Sequence, residues 1–366
     1  MALRFGVISV DDHVVEVPDL WVQGTSQGKW GDLIPHVVVQ ADGKERWVIE
    51  GQVRTASSLA PTGALSKDRG TEPQVWSEVP QSVYDPHARL AAMDAAGVTF
   101  AVLSLSGPGV QVEKDTAQAI KRARQANDLL AEQVNRRPDR YGGFAHLAMQ
   151  DPRAAADELE RCVHDLGFVG SMINGHTNGV YLDDPRHDPF WERMQALDVP
   201  LYLHPDDSFV KPYVLEGCDE LLKPTWEWTT ETSSHFLRLV FAGVFDRFPR
   251  LKIILGHMGE TLPYVLWRLD SRAALITDKR PLKSPPSVYL KRNLFVTTSG
   301  QCDDVPLIAA LAALGEDRVS FSVDYPYEDS ATAGRFLDKA AIDDKVRDKV
   351  ASANARKLMK LNKSGS

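Results

Sequence analysis

The residues best suited to chemistry stand at the ends of apolar runs. Asp11, Asp12 and His13 follow FGVISV, with Glu16 three residues on. His146 lies near the end of YGGFAHL, and Asn174 with His176 ends FVGSMIN-GH. His204 falls in PLYLHP, His257 follows IILG in IILGHMGE, and Asp324 lies in SFSVDYP. Histidine and aspartate usually occupy exposed helices and loops, so repeated stops of apolar runs on them are not a chance pattern. A single histidine there would be a hydrogen-bonded scaffold group, and a single aspartate the N-cap of the next helix. Asp11, His13, His204 and Asp324 taken jointly point to a metal site. Two imidazoles and two carboxylates form an N2O2 set suited to one divalent ion, Zn2+ or Mn2+ with Fe2+ as a third choice. The set holds no thiolate, which argues against copper(I) or an iron–sulfur cluster. Neutral histidine and ionised aspartate are both available at pH 7, so such a site fills without unusual pKa shifts. Glu16 is a further ligand or, preferably, a partner orienting His13.

These side chains can meet only if the runs carrying them end on one face. Eight β-rich runs alternate with helical patterns: Phe5–Val10, Thr99–Leu105, Tyr141–Leu147, Phe168–Asn174, Val199–Leu203, Leu251–Leu255, Asn293–Thr298 and Val319–Val323. Between them lie stretches such as KDTAQAIKRARQANDLLAEQVNRR, DPRAAADELERCVHDL and DDVPLIAALAALG. In the second, Ala155, Leu159 and Val163 repeat every fourth residue, the spacing of one helix face. The last run is followed by SATAGRFLDKAAI and DKVRDKVASANARKLMKL, both helical in pattern. Eight parallel βα units predict a closed (β/α)8 TIM barrel, whose strands all open their carboxyl ends on one face. Residues 36–86 break the rhythm. HVVVQADGKERWVIEGQV reads as a hairpin around Asp42-Gly43, followed by Gly-, Pro- and Ser-rich sequence. We expect a small β-rich flap after the first strand, a lid or a structural contact, inside a single domain spanning 1–366.

Composition narrows the class further. The 366 residues are 43% hydrophobic and 25% charged, as in a globular protein and unlike a disordered or fibrous one. Forty-two basic against fifty acidic residues give a charge of −8, which disfavours nucleic acid and anionic membranes as partners. Cys162, Cys218 and Cys302 form no CxxC and suit packing in a reducing cytoplasm. MALRFGVISVDD reaches two aspartates before a signal-peptide core could form, and LRLVFAGVF is far short of a membrane span. NKSGS reads as a frayed tail.

The motifs DDH, PLYLHP, GHMGE and SVDYPYE, in this order and each at a strand end, resemble the amidohydrolase superfamily. More narrowly they resemble its aminocarboxymuconate-semialdehyde decarboxylase-like branch. MDAAGVTFAVLSLSGPGVQ and GSMINGHTNGVYLDDPRHDPFWERMQALDVPLYLHP are similar to its metal-dependent hydroxybenzoate decarboxylases. The resemblance covers nearly the whole chain outside 36–86. It implies that Asp11 is the first metal ligand, that His13, His204 and Asp324 complete the set, and that His257 is an unliganded active-site histidine with Glu260 beside it. It also implies that Arg268, in ETLPYVLWRLDSR, lies near the substrate, and that the chain forms a dimer or tetramer. Two features depart from the pattern: Asp11-Asp12-His13 replaces Glu-x-His, and 36–86 is additional to the compact decarboxylases.

Three reactions suit such a site. The first, which we favour, is non-oxidative decarboxylation of a hydroxy-aryl acid. The cation would hold carboxylate and hydroxyl, a protonated Asp324 would protonate the ring carbon, and His257 and Arg268 would bind the polar substituents. The second is hydrolysis of an amide, ester or lactone by metal-activated water, or its reverse, a dehydrative cyclisation. A non-catalytic subunit, or a di-metal oxygen-activating site recruiting Asp12 and Glu16, stands outside these. His146, Asn174 and His176 are candidate substrate contacts; for Asn174 a turn-fixing role is preferred. Trp226 and Trp228 are read as core or interface rather than pocket, and His235 as structural. His36, His87, His164 and His187 carry no placement argument.

Overall fold

A computed structural model describes residues 6–18, 36–49, 52–53, 73–106, 109–276 and 282–361. The start of the first expected strand, residues 54–72 of the 36–86 segment and the tail fall outside them.

Among the described residues, eleven strands form two sheets. The larger contains β1 (Val7–Val14), β5 (Val98–Leu105), β6 (Tyr141–His146), β7 (Gly170–Asn174), β8 (Leu201–His204), β9 (Ile253–Leu255), β10 (Leu294–Thr297) and β11 (Val319–Ser320). Its neighbours pair in that order, all in parallel. Between β11 and β1 no ladder runs among the described residues. There Val323 N–H donates to Ser9 Oγ at 2.9 Å, Asp11 N–H to Ser322 Oγ at 2.7 Å, and His13 N–H to the Tyr325 carbonyl at 2.6 Å. The eight strands are thus a nearly closed TIM barrel, as expected. Antiparallel β2 (His36–Val39) and β3 (Glu45–Ile49), joined by β4 (Gln52–Val53), form the expected hairpin after β1.

Helices cover the outside, and their starts are chemically legible. Asp115 caps Thr116–Asn135 by accepting from Gln118 N–H, and Asp151 caps Pro152–His164 by accepting from Arg153 and Ala154 N–H. The segment read as one C-terminal helix is three pieces, Asp344–Asp348, a π-helical turn Lys349–Ala353, and Asn354–Leu358. The wide turn lets the Val350 carbonyl accept from Phe321 N–H, at 2.7 Å. It also brings Ala355, Leu358 and Met359 under the barrel, against Ile8, Val10, Val102, Phe144, Met172, Tyr202 and Ile254. Those side chains fill the interior, so the barrel is a packed core open only at the top. No described helix is long and apolar enough to cross a membrane.

One irregularity decides the site. The sequence places Asp11–His13 after the first strand, whereas β1 continues through Val14. Register advances from Ser9↔Ala101 to Asp12↔Leu103, so β1 spends one residue more than β5. That β-bulge shifts the two-residue alternation of side chains. Ile8 and Val10 face the interior, and beyond the bulge Asp11 and His13 do so too, leaving Asp12 outside.

Candidate metal centre

Asp11 and His13 on β1, His204 at the end of β8 and Asp324 after β11 each bring one ligand atom to a common point, all four within 4.8 Å of one another. His13 Nε2 stands 3.3 Å from Asp11 Oδ1 and 3.4 Å from Asp324 Oδ1. Ligands about 2.1 Å from a tetrahedrally held ion stand roughly 3.4 Å apart. These spacings therefore match a small divalent cation. All three atoms are buried without a hydrogen-bond partner, although buried polar atoms rarely lack one. The set fits a metal by donor type, spacing and unmet bonding capacity.

The other atoms of these side chains are engaged, which aims the free ones inward. Asp11 Oδ2 accepts from the Tyr202 hydroxyl and, at 2.8 Å, from Ser299 Oγ. His13 Nδ1 lies 3.0 Å from Ser104 Oγ, and His204 Nδ1–H donates to the Pro205 carbonyl at 2.9 Å. Such outer partners fix the tautomer and orientation of metal-binding side chains. Burial alone would depress the His13 pKa, but the Asp11 and Asp324 carboxylates beside its ring raise it to about 10. Burial pulls His204 down to about 4, helped by the His13 charge, so its ring is neutral and ready to ligate.

His257 stands outside this set and faces it. Its Nε2 lies 3.6 Å from Asp324 Oδ2, and its Nδ1 is 2.7 Å from Glu260 Oε1. Glu260 is itself held by Thr229 Oγ1 at 2.8 Å. Burial works against the imidazolium, yet the Glu260 and Asp324 carboxylates raise its pKa well above the ordinary value. Asp324 is not raised, as a resting proton donor would be. Burial pushes it up, but hydrogen bonds to His13 and His257 outweigh that and hold it below the usual range. These opposite shifts favour a charged His257 beside an ionised Asp324. His257 and Asp324 sit at φ of 51° and 75°, backbone strain of the sort found at functional sites.

Other expected residues are placed differently. Asp12 lies outside the barrel, where its Oδ1 accepts from Ser9 Oγ at 2.8 Å and Tyr325 N–H at 3.3 Å. The bulge thereby removes it from any di-metal site. Glu16 does not orient His13. Its Oε2 accepts from Ser106 Oγ, its buried Oε1 has no partner, and burial raises its pKa to about 8. Arg268 is exposed in Leu266–Ala273 and does not meet the cluster, because 3-10 turns at His257–Gly259 and Leu262–Tyr264 carry the chain outward first. His146 is a scaffold group, accepting from Val110 N–H at 3.1 Å. His176 Nδ1 accepts from Gly179 N–H at 3.1 Å. Asn174 Oδ1 is buried without a partner, so the expected turn-fixing bond is absent. His235 is structural, taking Leu182 N–H at 3.0 Å. Trp226 is 44% exposed, and Trp228 Nε1–H donates to Asp207 Oδ1 at 2.8 Å.

Sequence reasoning missed Tyr202, Ser299 and Tyr327. Tyr202 precedes His204 by two residues and therefore shares its inward face, a signal that was available. Gly256 makes room for it, since a Cβ there would lie 2.7 Å from the Tyr202 hydroxyl. Tyr327, whose ring meets His13 edge-on at 5.3 Å, gave no comparable signal.

Known proteins share this arrangement's framework. Residues 59–361 match the amidohydrolase family model. A γ-resorcylate decarboxylase of Polaromonas sp. strain JS666 is 42% identical over 326 residues, 86% of this chain and 100% of the relative. The crystal structure of a dihydroxybenzoic acid decarboxylase from Polaromonas sp. JS666, with manganese and 2-nitroresorcinol bound, superposes with a TM-score of 0.76. It is 37% identical and covers 98% of both chains. A 5-carboxyvanillate decarboxylase from Sphingomonas paucimobilis gives a TM-score of 0.76 at 32% identity, over 98% of this chain and 99% of the other. Sequence and fold agree over almost the whole length, and the chain belongs to the amidohydrolase family.

Proposed function

We propose that this chain is a divalent-metal-dependent decarboxylase of a hydroxy-aryl carboxylic acid, with Asp11, His13, His204 and Asp324 as the metal ligands. The convergence of those four side chains carries the reading, and the decarboxylase relatives support this reaction over hydrolysis or cyclisation. Manganese in one relative favours Mn2+, with Zn2+ the alternative. A divalent cation held by these four residues would supply Lewis-acid chemistry to the substrate's acidic groups.

The remaining chemistry falls to the chain. Breaking the bond between ring carbon and carboxylate releases CO2 and leaves the electron pair on the ring carbon. That carbon then takes a proton from Asp324. His257, protonated and 3.6 Å from Asp324 Oδ2, supplies Asp324 with the proton and recovers another from solvent. Glu260 keeps His257 charged and turned inward. Arg268, exposed in its own chain, takes no part in this scheme.

Exposed apolar side chains, among them Tyr213 at 91%, Val214 at 80% and Trp267 at 77%, support a homo-oligomer, which sedimentation analysis would test. Three unpaired cysteines support a cytoplasmic setting. The reaction is tested with Mn2+-loaded protein and a panel of hydroxybenzoates and aryl amides in 18O-water. CO2 release with a proton gained at the ring carbon is expected. Label in a new product carboxylate would overturn decarboxylation in favour of hydrolysis.

A further inference from the structure

Three of the four clustered side chains come from two strands that no ladder joins among the described residues. Asp11 and His13 lie on β1, Asp324 follows β11, and these strands flank the seam. Behind the seam, on the outer side of β1, sit two buried charged residues that face no metal, Asp12 and Arg89. Arg89 enters from the helix Pro86–Ala95. Its Nη2–H donates to the His13 carbonyl, and its Nε–H donates to the Ser82 carbonyl at 3.0 Å. The guanidinium lies 4.3 Å from the centre of the Tyr325 ring, whose hydroxyl donates to Ser82 Oγ at 2.9 Å. Tyr325 is the residue after Asp324. Its carbonyl accepts from His13 N–H at 2.6 Å, and its own N–H donates to Asp12 Oδ1 at 3.3 Å.

We infer that Asp12 and Arg89 are positioning residues for the metal site, holding Asp11 and His13 in register with Asp324 across the unladdered seam. The inference rests on the metal reading above. The His13 peptide is gripped from both sides, its N–H by Tyr325 and its carbonyl by Arg89. Asp12 and Arg89 both bear on Tyr325, one through its backbone and one through its ring. A rigid seam keeps the 3.4 Å separation of His13 Nε2 and Asp324 Oδ1. A loose seam lets the two ligand groups drift apart without disturbing His204. Arg89 thus bears on the site without touching a ligand atom, through the His13 carbonyl and the Tyr325 ring.

The test is titration of apo-protein with Mn2+, following free Mn2+ by its EPR signal, with thermal unfolding of each apo-protein alongside. Wild type should bind one Mn2+ per chain, and His204→Ala should bind none. Arg89→Met should bind with affinity lowered about 10- to 100-fold, the usual effect of losing an outer-shell partner. Saturating Mn2+ should restore its turnover. Leu159→Ala, a core truncation in the outer helix Pro152–His164, lowers stability without touching the seam and should keep wild-type affinity. If Arg89→Met does not fold, Arg89→Lys carries the same expectation, since a single ammonium cannot span the Ser82 and His13 carbonyls together. Wild-type affinity in a folded Arg89 variant, or an equal loss in Leu159→Ala, overturns the inference. Unaltered binding by His204→Ala would instead overturn the metal reading beneath it.

Discussion

Replacing His257 with glutamine separates proton supply from metal binding. The imidazolium Nε2 lies 3.6 Å from Asp324 Oδ2. At an effective dielectric of about 20, that spacing corresponds to an attraction of about 4–5 kcal/mol. Glutamine keeps a polar group of similar reach but has no proton to give. A positioned general acid contributes about 10²–10⁴ in rate, equivalent to about 2.7–5.5 kcal/mol of activation free energy. The electrostatic coupling falls within that range. His257→Gln should therefore lower kcat for a hydroxybenzoate substrate by about 10²–10⁴, with KM changed only a few-fold. Metal content should stay at one per chain, because His257 contributes none of the four clustered atoms. The assay pairs elemental analysis of the purified variant with steady-state CO2 release at saturating Mn2+. Loss of the metal would show that His257 belongs to the ligand set. A kcat within tenfold of wild type would show that the proton comes from elsewhere. Either result refutes the division drawn between ligands and proton source.

Other expectations are briefer. Glu260→Gln removes the carboxylate that helps raise the His257 pKa, so the basic limb of the kcat profile should move to lower pH while metal content is kept. Gly256→Ala would place a Cβ 2.7 Å from the Tyr202 hydroxyl and 3.5 Å from Asp11 Oδ2. It should cost about 1–3 kcal/mol of stability and weaken Mn2+ binding, read by thermal unfolding and titration. His146 and His235 are buried, with pKa values pulled down by burial to about 4 and about 3. Between pH 6.5 and those values the unfolded chain binds protons that the folded chain does not, so stability falls as pH falls. The slope approaches about 1.4 kcal/mol per pH unit for each histidine. Urea unfolding of wild type and His146→Asn should show it as a difference in slope, because carboxylates held neutral by burial, such as Glu16, contribute the opposite slope to both proteins alike. Equal slopes between pH 6.5 and 5 would refute it.

Much of the barrel and its metal site was legible in sequence for a local reason. A strand that must be buried on both faces reads as an apolar run, and its first polar residue marks the rim. His204 and Asp324 announce themselves in this way, and capped helices such as Pro152–His164 announce the units between strands. What the sequence could not show is orientation. Asp11 and Asp12 are the same residue type side by side. The bulge in β1 where it pairs with β5 sends one to the cluster with His13, His204 and Asp324 and the other to Tyr325. The family resemblance implied that Arg268 lies near the substrate, yet the turns after His257 lead it to solvent in its own chain. The opposite pKa shifts of His257 and Asp324 depend on charges brought together from the ends of β1, β9 and β11. Residue type and local periodicity are properties of the chain, and so the sequence by itself determined the fold class and the donor atoms. Register, burial and the distance between charges arise only when distant segments meet, and so tertiary structure alone decided which donors face the centre and in which direction their pKa values move.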